Sequence, residues 1–128
     1  MIKKLVMCLC CLVLLCGCSA PKKESGYKKI TSGEAKEKMD SLKNVIILDV
    51  RTKEEYDQGH ISGALLLPNT DIAKKAADAL PDKDVPILVY CRSGNRSKSA
   101  SEDLISMGYT QVYDFGGIID WPYETVTE

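Results

Sequence analysis

The sequence predicts an α/β fold, a twisted and mostly parallel sheet of about five strands with helices on both faces. Three observations lead there. Short continuous apolar runs recur, among them residues 45–50 (VIILDV) and 86–90 (PILVY), and such runs mark strands buried on both sides. Segments of helical period lie between them, two opened by a capping-box pattern. The chain has 128 residues, 45% of them hydrophobic, which suits one domain with a core of its own.

Taken in order, residues 27–30 form a weak first strand. Thr31-Ser32-Gly33-Glu34 has a side-chain acceptor followed three residues later by Glu, so a helix opens there, with Ala35, Met39 and Leu42 on one face. Residues 45–50 are the second strand. Thr52-Lys53-Glu54-Glu55 opens a short second helix that Gly59 ends. Residues 64–67 (ALLL) are another buried run, stopped by Pro68. Asn69 or Thr70 caps the next helix, which puts Ile72, Ala76 and Leu80 on one face with Ala73 and Ala77 beside them, turns Lys74, Lys75 and Asp78 to water, and stops at Pro81. Residues 86–90 run as a buried strand into Cys91. Residues 97–107 are helical, with Ala100, Leu104 and Met107 on one side and Gly108 as the C-terminal cap. Residues 111–115 are the last strand, closed by Gly116-Gly117, and a short helical turn spans 118–121. In such a sheet a ligand site lies beyond the carboxyl ends of the strands. Cys91 falls at one of those ends and Asp49 at or beside another.

The first residues stand apart from this domain. Lys3 and Lys4 precede an apolar stretch, residues 5–15, that is too short to cross a bilayer as a stop-transfer helix. Leu15-Cys16-Gly17-Cys18 follows, and it resembles the lipobox of bacterial lipoproteins: an aliphatic residue, two small residues and a cysteine. That resemblance implies a signal peptide over residues 1–17, lipidation of Cys18, a polar tether through residue 26, and a folded domain over residues 27–128. The protein would then sit outside the cytoplasm, lipid-anchored to a bacterial membrane. Attachment through two or more acyl chains is stable, whereas one is marginal. An ordinary cleaved leader or an uncleaved anchor are the other ways to read the apolar stretch.

Composition narrows the partners. A formal net charge of −1 gives no argument for nucleic acid, and aromatic residues, 6% of the chain, are too few for a base-stacking surface. Of six cysteines, Cys8, Cys10, Cys11 and Cys16 would leave with the leader and Cys18 would be capped by lipid. Cys91 would then be the one free thiol of the mature protein, and an unpaired cysteine in an exported domain points to a reactive thiol or an intermolecular bridge. One Cys and one His (His60) cannot build a structural zinc site in the mature chain.

The loop Cys91-Arg92-Ser93-Gly94-Asn95-Arg96-Ser97 carries the chemistry. Gly94 and Asn95 tolerate unusual dihedrals and let successive N–H groups turn inward as a nest for an anion. The following helix adds its N-terminal partial charge, and Arg92 and Arg96 bring full positive charges. These should hold the Cys91 thiol below its ordinary pKa, and the thiolate is the nucleophile. The alternative is a buried structural cysteine acting as a small hydrophobe.

This loop resembles the active-site loop of the rhodanese family of sulfurtransferases. Leu48-Asp49-Val50-Arg51, Glu55-Tyr56, Gly59-His60-Ile61 and Gly63-Ala64 match the family's upstream signature in order and spacing, and Gly108-Tyr109, Val112, Gly116-Gly117 and Trp121 match its C-terminal end. The resemblance implies a rhodanese-like fold and a two-step transfer without metal or organic cofactor. Cys91 takes sulfane sulfur from a small donor such as thiosulfate or a persulfide, becomes a persulfide, and gives that sulfur to a thiol or cyanide acceptor. By the same resemblance Arg92, Ser93, Gly94, Asn95, Arg96 and Ser97 form the donor-binding loop, with Asp49 and Arg51 in support. For Arg92 the other reading is a side chain that points to solvent and recognises donor charge, and Ser93 and Ser97 can bond loop backbone. Asp49 could orient loop groups or Arg51. Arg51 and Glu55, four apart at a helix start, are expected to pair as ions. His60 and Trp121 are expected to be structural, with Trp121 open to bordering the pocket.

Two other functions stay open. One is a non-catalytic sulfur carrier or partner-binding module on the same fold. The other is a cysteine phosphatase, disfavoured because four residues separate Cys91 from Arg96, one fewer than phosphatases use.

Overall fold

The computed structural model describes residues 26–128. The leader, Cys18 and all but the last residue of the tether lie outside the described residues. Five strands form one sheet in the order β1-β5-β4-β2-β3, and every pairing in it is parallel. They are β1 (Lys28–Lys29), β2 (Ile46–Asp49), β3 (Leu65–Leu66), β4 (Ile87–Cys91) and β5 (Val112–Gly117). Four α-helices connect them: α1 (Ser32–Ser41), α2 (Lys53–Gln58), α3 (Ile72–Ala79) and α4 (Asn95–Ser106).

The strand at the centre, β4, is buried at every residue, as its continuous apolar run requires. Its side chains alternate between two cores. Ile87, Val89 and Cys91 join Ala76, Ala100 and Leu104 from α3 and α4 on one face. Leu88 and Tyr90 join Ala35 of α1, Phe115 and Trp121 on the other. Both capping boxes form: Thr31 with Glu34, and Thr52 with Glu55. At the end of α4 the Tyr109 and Gly108 amides donate to the Leu104 and Ile105 carbonyls, a Schellman closure with Gly108 at φ 95°.

The winding places the site. After β2 the chain moves outward to β3, and after β4 it moves outward the other way to β5. The two departing loops diverge and leave a crevice at the carboxyl ends of β2 and β4. Asp49 ends β2, Cys91 ends β4, and Asp49 pairs in register with Tyr90.

Four local expectations are corrected. Residues 64–67 are not uniformly buried, because β3 is an edge strand and Leu65 is 39% exposed. Neither Asn69 nor Thr70 caps α3 with its side chain; a 3-10 turn over Asn69–Asp71 leads into that helix instead. Leu42 leaves the α1 face, since its backbone is already extended at the C-cap and it lies exposed. Finally, α4 begins at Asn95, two residues before the expected start at 97, because Gly94 takes φ 108° and serves as N-cap.

Candidate active site

Residues 91–97 curl back on themselves. Of the loop residues Gly94 alone takes a positive φ; Asn95 is the first residue of α4. The reversal brings the Gly94 amide to donate to Cys91 Sγ at 3.0 Å. Ser97, in the first turn of α4, sets its hydroxyl 3.5 Å from the same sulfur. That hydroxyl also reaches the carbonyl oxygens of Gly94 at 3.1 Å and Gly116 at 3.4 Å. A hydroxyl rotates freely, so it accepts from a thiol and donates to a thiolate without moving its oxygen.

Burial is the largest influence on the Cys91 thiol and pushes its pKa up. The Ser97 hydroxyl and the Ser97, Gly94 and Ser93 amides outweigh it, and the thiol lies below its ordinary value. The thiolate is thus stabilised by neutral dipoles at the start of a helix. The expected contribution of inward-turned amides is therefore present, and no arginine stands among the main groups that lower this thiol. Arg96 forms a bidentate ion pair with Glu55, at 2.7 and 2.9 Å. Arg92 is exposed, and among the described residues its side chain has no hydrogen-bond or ion-pair partner.

The far wall of the loop is backbone. Gly117 of β5 stands opposite Cys91 in the sheet, and the Ile119 amide donates to the Arg92 carbonyl at 3.3 Å. A methyl group on Gly117 would overlap that carbonyl oxygen and lie 2.6 Å from Ser93 Cα. The absent side chain is what lets the loop sit down on the sheet.

Asp49 and Arg51 lie beside the loop without touching the sulfur. Arg51 Nη2 donates to Asp49 at 2.7 Å and to the Gly59 carbonyl at 2.7 Å. Tyr90 donates its hydroxyl to Asp49 at 2.7 Å and accepts the Ile61 amide at 3.1 Å. Burial, first among the causes, raises the Tyr90 pKa and keeps the phenol a donor. This buried cluster ties the end of β2 to the turn after α2 and to β4, so it is support for the crevice. The expected Arg51–Glu55 ion pair is not formed: Arg51 is taken by Asp49 and Glu55 by Arg96.

Glu55 holds three places at once. Its backbone amide bonds Thr52 Oγ1, its carboxylate accepts from Thr52, and the same carboxylate holds Arg96. The Arg96 hydrogen bond, first among the causes, lowers the Glu55 pKa to about 2. His60 has Nδ1 2.8 Å from the Tyr56 carbonyl oxygen and its ring stacked on Tyr56, in keeping with a structural role. Trp121 packs on Phe115 and Tyr123. It borders a cavity of about 850 Å³ that Met39, Ile47 and Ile61 also line and that the Cys91 loop does not. Among the described residues no group of three or more His, Cys, Asp or Glu could hold a metal ion.

Glu55, Tyr90 and Gly117 are thus site residues that the sequence reading assigned elsewhere. Two glycines in succession at a strand end do signal a close backbone approach, so Gly117 had a readable mark. The partnership of Glu55 with a residue 41 positions away had none.

A recess lined with amides around a sulfur whose pKa is lowered favours its thiolate, which can attack an electrophilic sulfur, and can then hold the anion it becomes. Residues 31–122 match the rhodanese-like domain family. The chain is 42% identical over 73 residues to the thiosulfate sulfurtransferase PspE of Escherichia coli K12, covering 57% of this chain and 70% of the relative. It is 35% identical over 96 residues to the thiosulfate sulfurtransferase GlpE of Coxiella burnetii, covering 74% and 87%. Among solved structures it resembles a rhodanese-like domain protein of Staphylococcus aureus, with TM-score 0.68, 35% identity, and coverage of 79% of this chain and 98% of that one. A rhodanese with anions from E. coli gives TM-score 0.61 at 38% identity, covering 66% and 99%.

Proposed function

We propose that this chain, which belongs to the rhodanese-like domain family, is a sulfurtransferase that works through a Cys91 persulfide. In the first step the Cys91 thiolate attacks the outer sulfur of a donor such as thiosulfate. A new S–S bond forms, the donor's S–S bond breaks, and sulfite leaves with the electron pair. In the second step an acceptor thiolate or cyanide attacks the outer sulfur of the persulfide, and the Cys91 thiolate leaves in its turn. The reading is supported by the Gly94 and Ser93 amides at the start of α4, which favour negative charge on Cys91 and in this mechanism then hold it on the outer sulfur. The reaction needs no metal or organic cofactor.

The single observation that supports this most is the 3.0 Å Gly94 N–H to Sγ contact inside a loop with a depressed thiol pKa. A merely structural cysteine has no use for it. The test is intact mass. Thiosulfate should add one sulfur atom to the protein, cyanide should strip it with release of thiocyanate, and Cys91→Ser should take up none. A wild-type Cys91 inert to both reagents would leave a non-catalytic binding module as the better reading.

Membrane attachment is the second part of the proposal, and its support is the lipobox-like Leu15-Cys16-Gly17-Cys18. Full-length protein made in bacteria should partition into detergent, and Cys18→Ala should move it to the aqueous phase. Partitioning that ignores the substitution would refute lipidation at Cys18.

A further inference from the structure

The loop carries two arginines, and the fold treats them differently. Arg96 is held by both oxygens of Glu55, with side chains only 31% and 26% exposed. Arg92 is exposed and, among the described residues, has no ion-pair partner. Glu55 cannot easily let go, since it also closes the capping box of α2 through Thr52. The pair therefore brings no net charge to the recess, and Arg92 is the one arginine of the loop left unneutralised.

This matters for the charge of the donor. Thiosulfate carries two negative charges and the Cys91 thiolate one, so their encounter gathers three beside one free arginine. A hydropersulfide reacts as Cys91–S⁻ + R–S–SH giving Cys91–S–SH + R–S⁻. One S–S bond forms, one breaks, and a single negative charge passes to the leaving thiolate. Like charges in a partly desolvated recess repel more strongly than in water. Resting on the sulfurtransferase reading, we infer that Glu55 sets the charge selectivity of this site. By occupying Arg96 it favours sulfane donors carrying one negative charge or none, such as hydropersulfides and thiosulfonates, over dianionic thiosulfate.

The test uses two donors with the same reacting sulfur. Methanethiosulfonate differs from thiosulfate by a methyl group in place of one anionic oxygen, and so carries one charge fewer. The quantity read is the ratio of kcat/KM for thiosulfate to that for methanethiosulfonate. Glu55→Gln frees the charge of Arg96 and should raise this ratio about tenfold, an effect of about 1.4 kcal/mol. Adding Arg96→Gln to that variant cancels the freed charge and should return the ratio to the wild-type value. Arg96→Gln alone leaves a bare carboxylate and should lower the ratio, which keeps the test decisive should Glu55→Gln not fold. A clasp with only a structural role would lower both donors together and leave the ratio unmoved in every variant, and that result would overturn the inference. Sulfur uptake by the wild type is read first, by mass. Its absence with both donors would bring down the sulfurtransferase reading itself, whereas uptake with an unmoved ratio would bring down the role of Glu55 alone.

Discussion

Gly117→Ala is the substitution whose effect can be worked most directly from the structure. The Gly117 backbone is ordinary, with φ −123° and ψ 148°, so alanine meets no dihedral penalty there. The obstacle is contact. The added Cβ overlaps the Arg92 carbonyl oxygen and stands 2.6 Å from both the Arg92 carbonyl carbon and Ser93 Cα. Ordinary contact begins at 3.4 Å, so the loop backbone must retreat by at least about 0.8 Å at these carbons, and by more at the carbonyl oxygen. These are backbone atoms of the loop that curls over the sulfur, and they cannot rotate away as a side chain would. A retreat of that size would stretch and misalign the Gly94 amide contact, now 3.0 Å from Sγ, and so weaken it. Overpacking of this kind costs about 1–3 kcal/mol in stability, while an ångström of misplacement at the reacting centre costs about a hundredfold in rate. The assay is thiosulfate-dependent sulfur transfer beside thermal unfolding. Activity should fall far more than stability, and alkylation of Cys91 should need higher pH. A Gly117→Ala protein with wild-type transfer and a wild-type alkylation profile would refute the view that loop and strand fit so closely.

Three further outcomes follow from the same geometry. Ser97→Ala removes the first of the groups that counter burial, so the Cys91 thiol should titrate at higher pH, read from its alkylation rate against pH; an unmoved profile would assign the effect to the amides alone. Tyr90→Phe leaves a fully buried Asp49 oxygen and the Ile61 amide each short of a partner, and should cost about 1–3 kcal/mol by denaturant titration while the alkylation profile of Cys91 stays put. The folded-state pKa of Glu55 is lowered to about 2. The stability it contributes is therefore complete above its unfolded-state value and is lost as pH falls through the folded one. Glu55→Gln should flatten the acid limb of a stability-against-pH curve, and a limb as steep as in the wild type would count against the pairing.

What the sequence revealed and what it hid divide along the distance of the interactions. The capping boxes at Thr31 and Thr52 were legible because both partners sit within one helical turn. Residues 86–90 were legible as a buried strand because burial on both faces leaves no polar alternation. The positions of Cys91 and Asp49 at strand ends followed from the strands themselves. The partner of Glu55 did not follow. Arg51 was near in sequence and of the right charge, but its side chain is held by Asp49 and the Gly59 carbonyl, and Arg96 arrives from the loop after β4. The exposure of Leu65 was hidden for a related reason. Hydrophobicity reports that a run is a strand but not whether it lies at the sheet's edge, and β3 does. The inward-turned amides were legible from Gly94 in the loop, whereas the withdrawal of Arg96 into a pair with Glu55 was not. Those amides depend on Gly94 adopting φ 108° and on Gly117 leaving room.

The measurement closest to the central claim is the pH dependence of Cys91 alkylation in the folded protein, followed by mass on the peptide that contains it. Two opposing influences act on that thiol, with burial the larger single one and hydrogen bonds from Ser97, Gly94 and Ser93 together larger still. The account predicts half-ionisation below the ordinary value of a free cysteine, returning to that value once the chain is unfolded. A folded-state midpoint at or above the ordinary value would mean that burial prevails, and that the loop does not prepare Cys91 to attack sulfur.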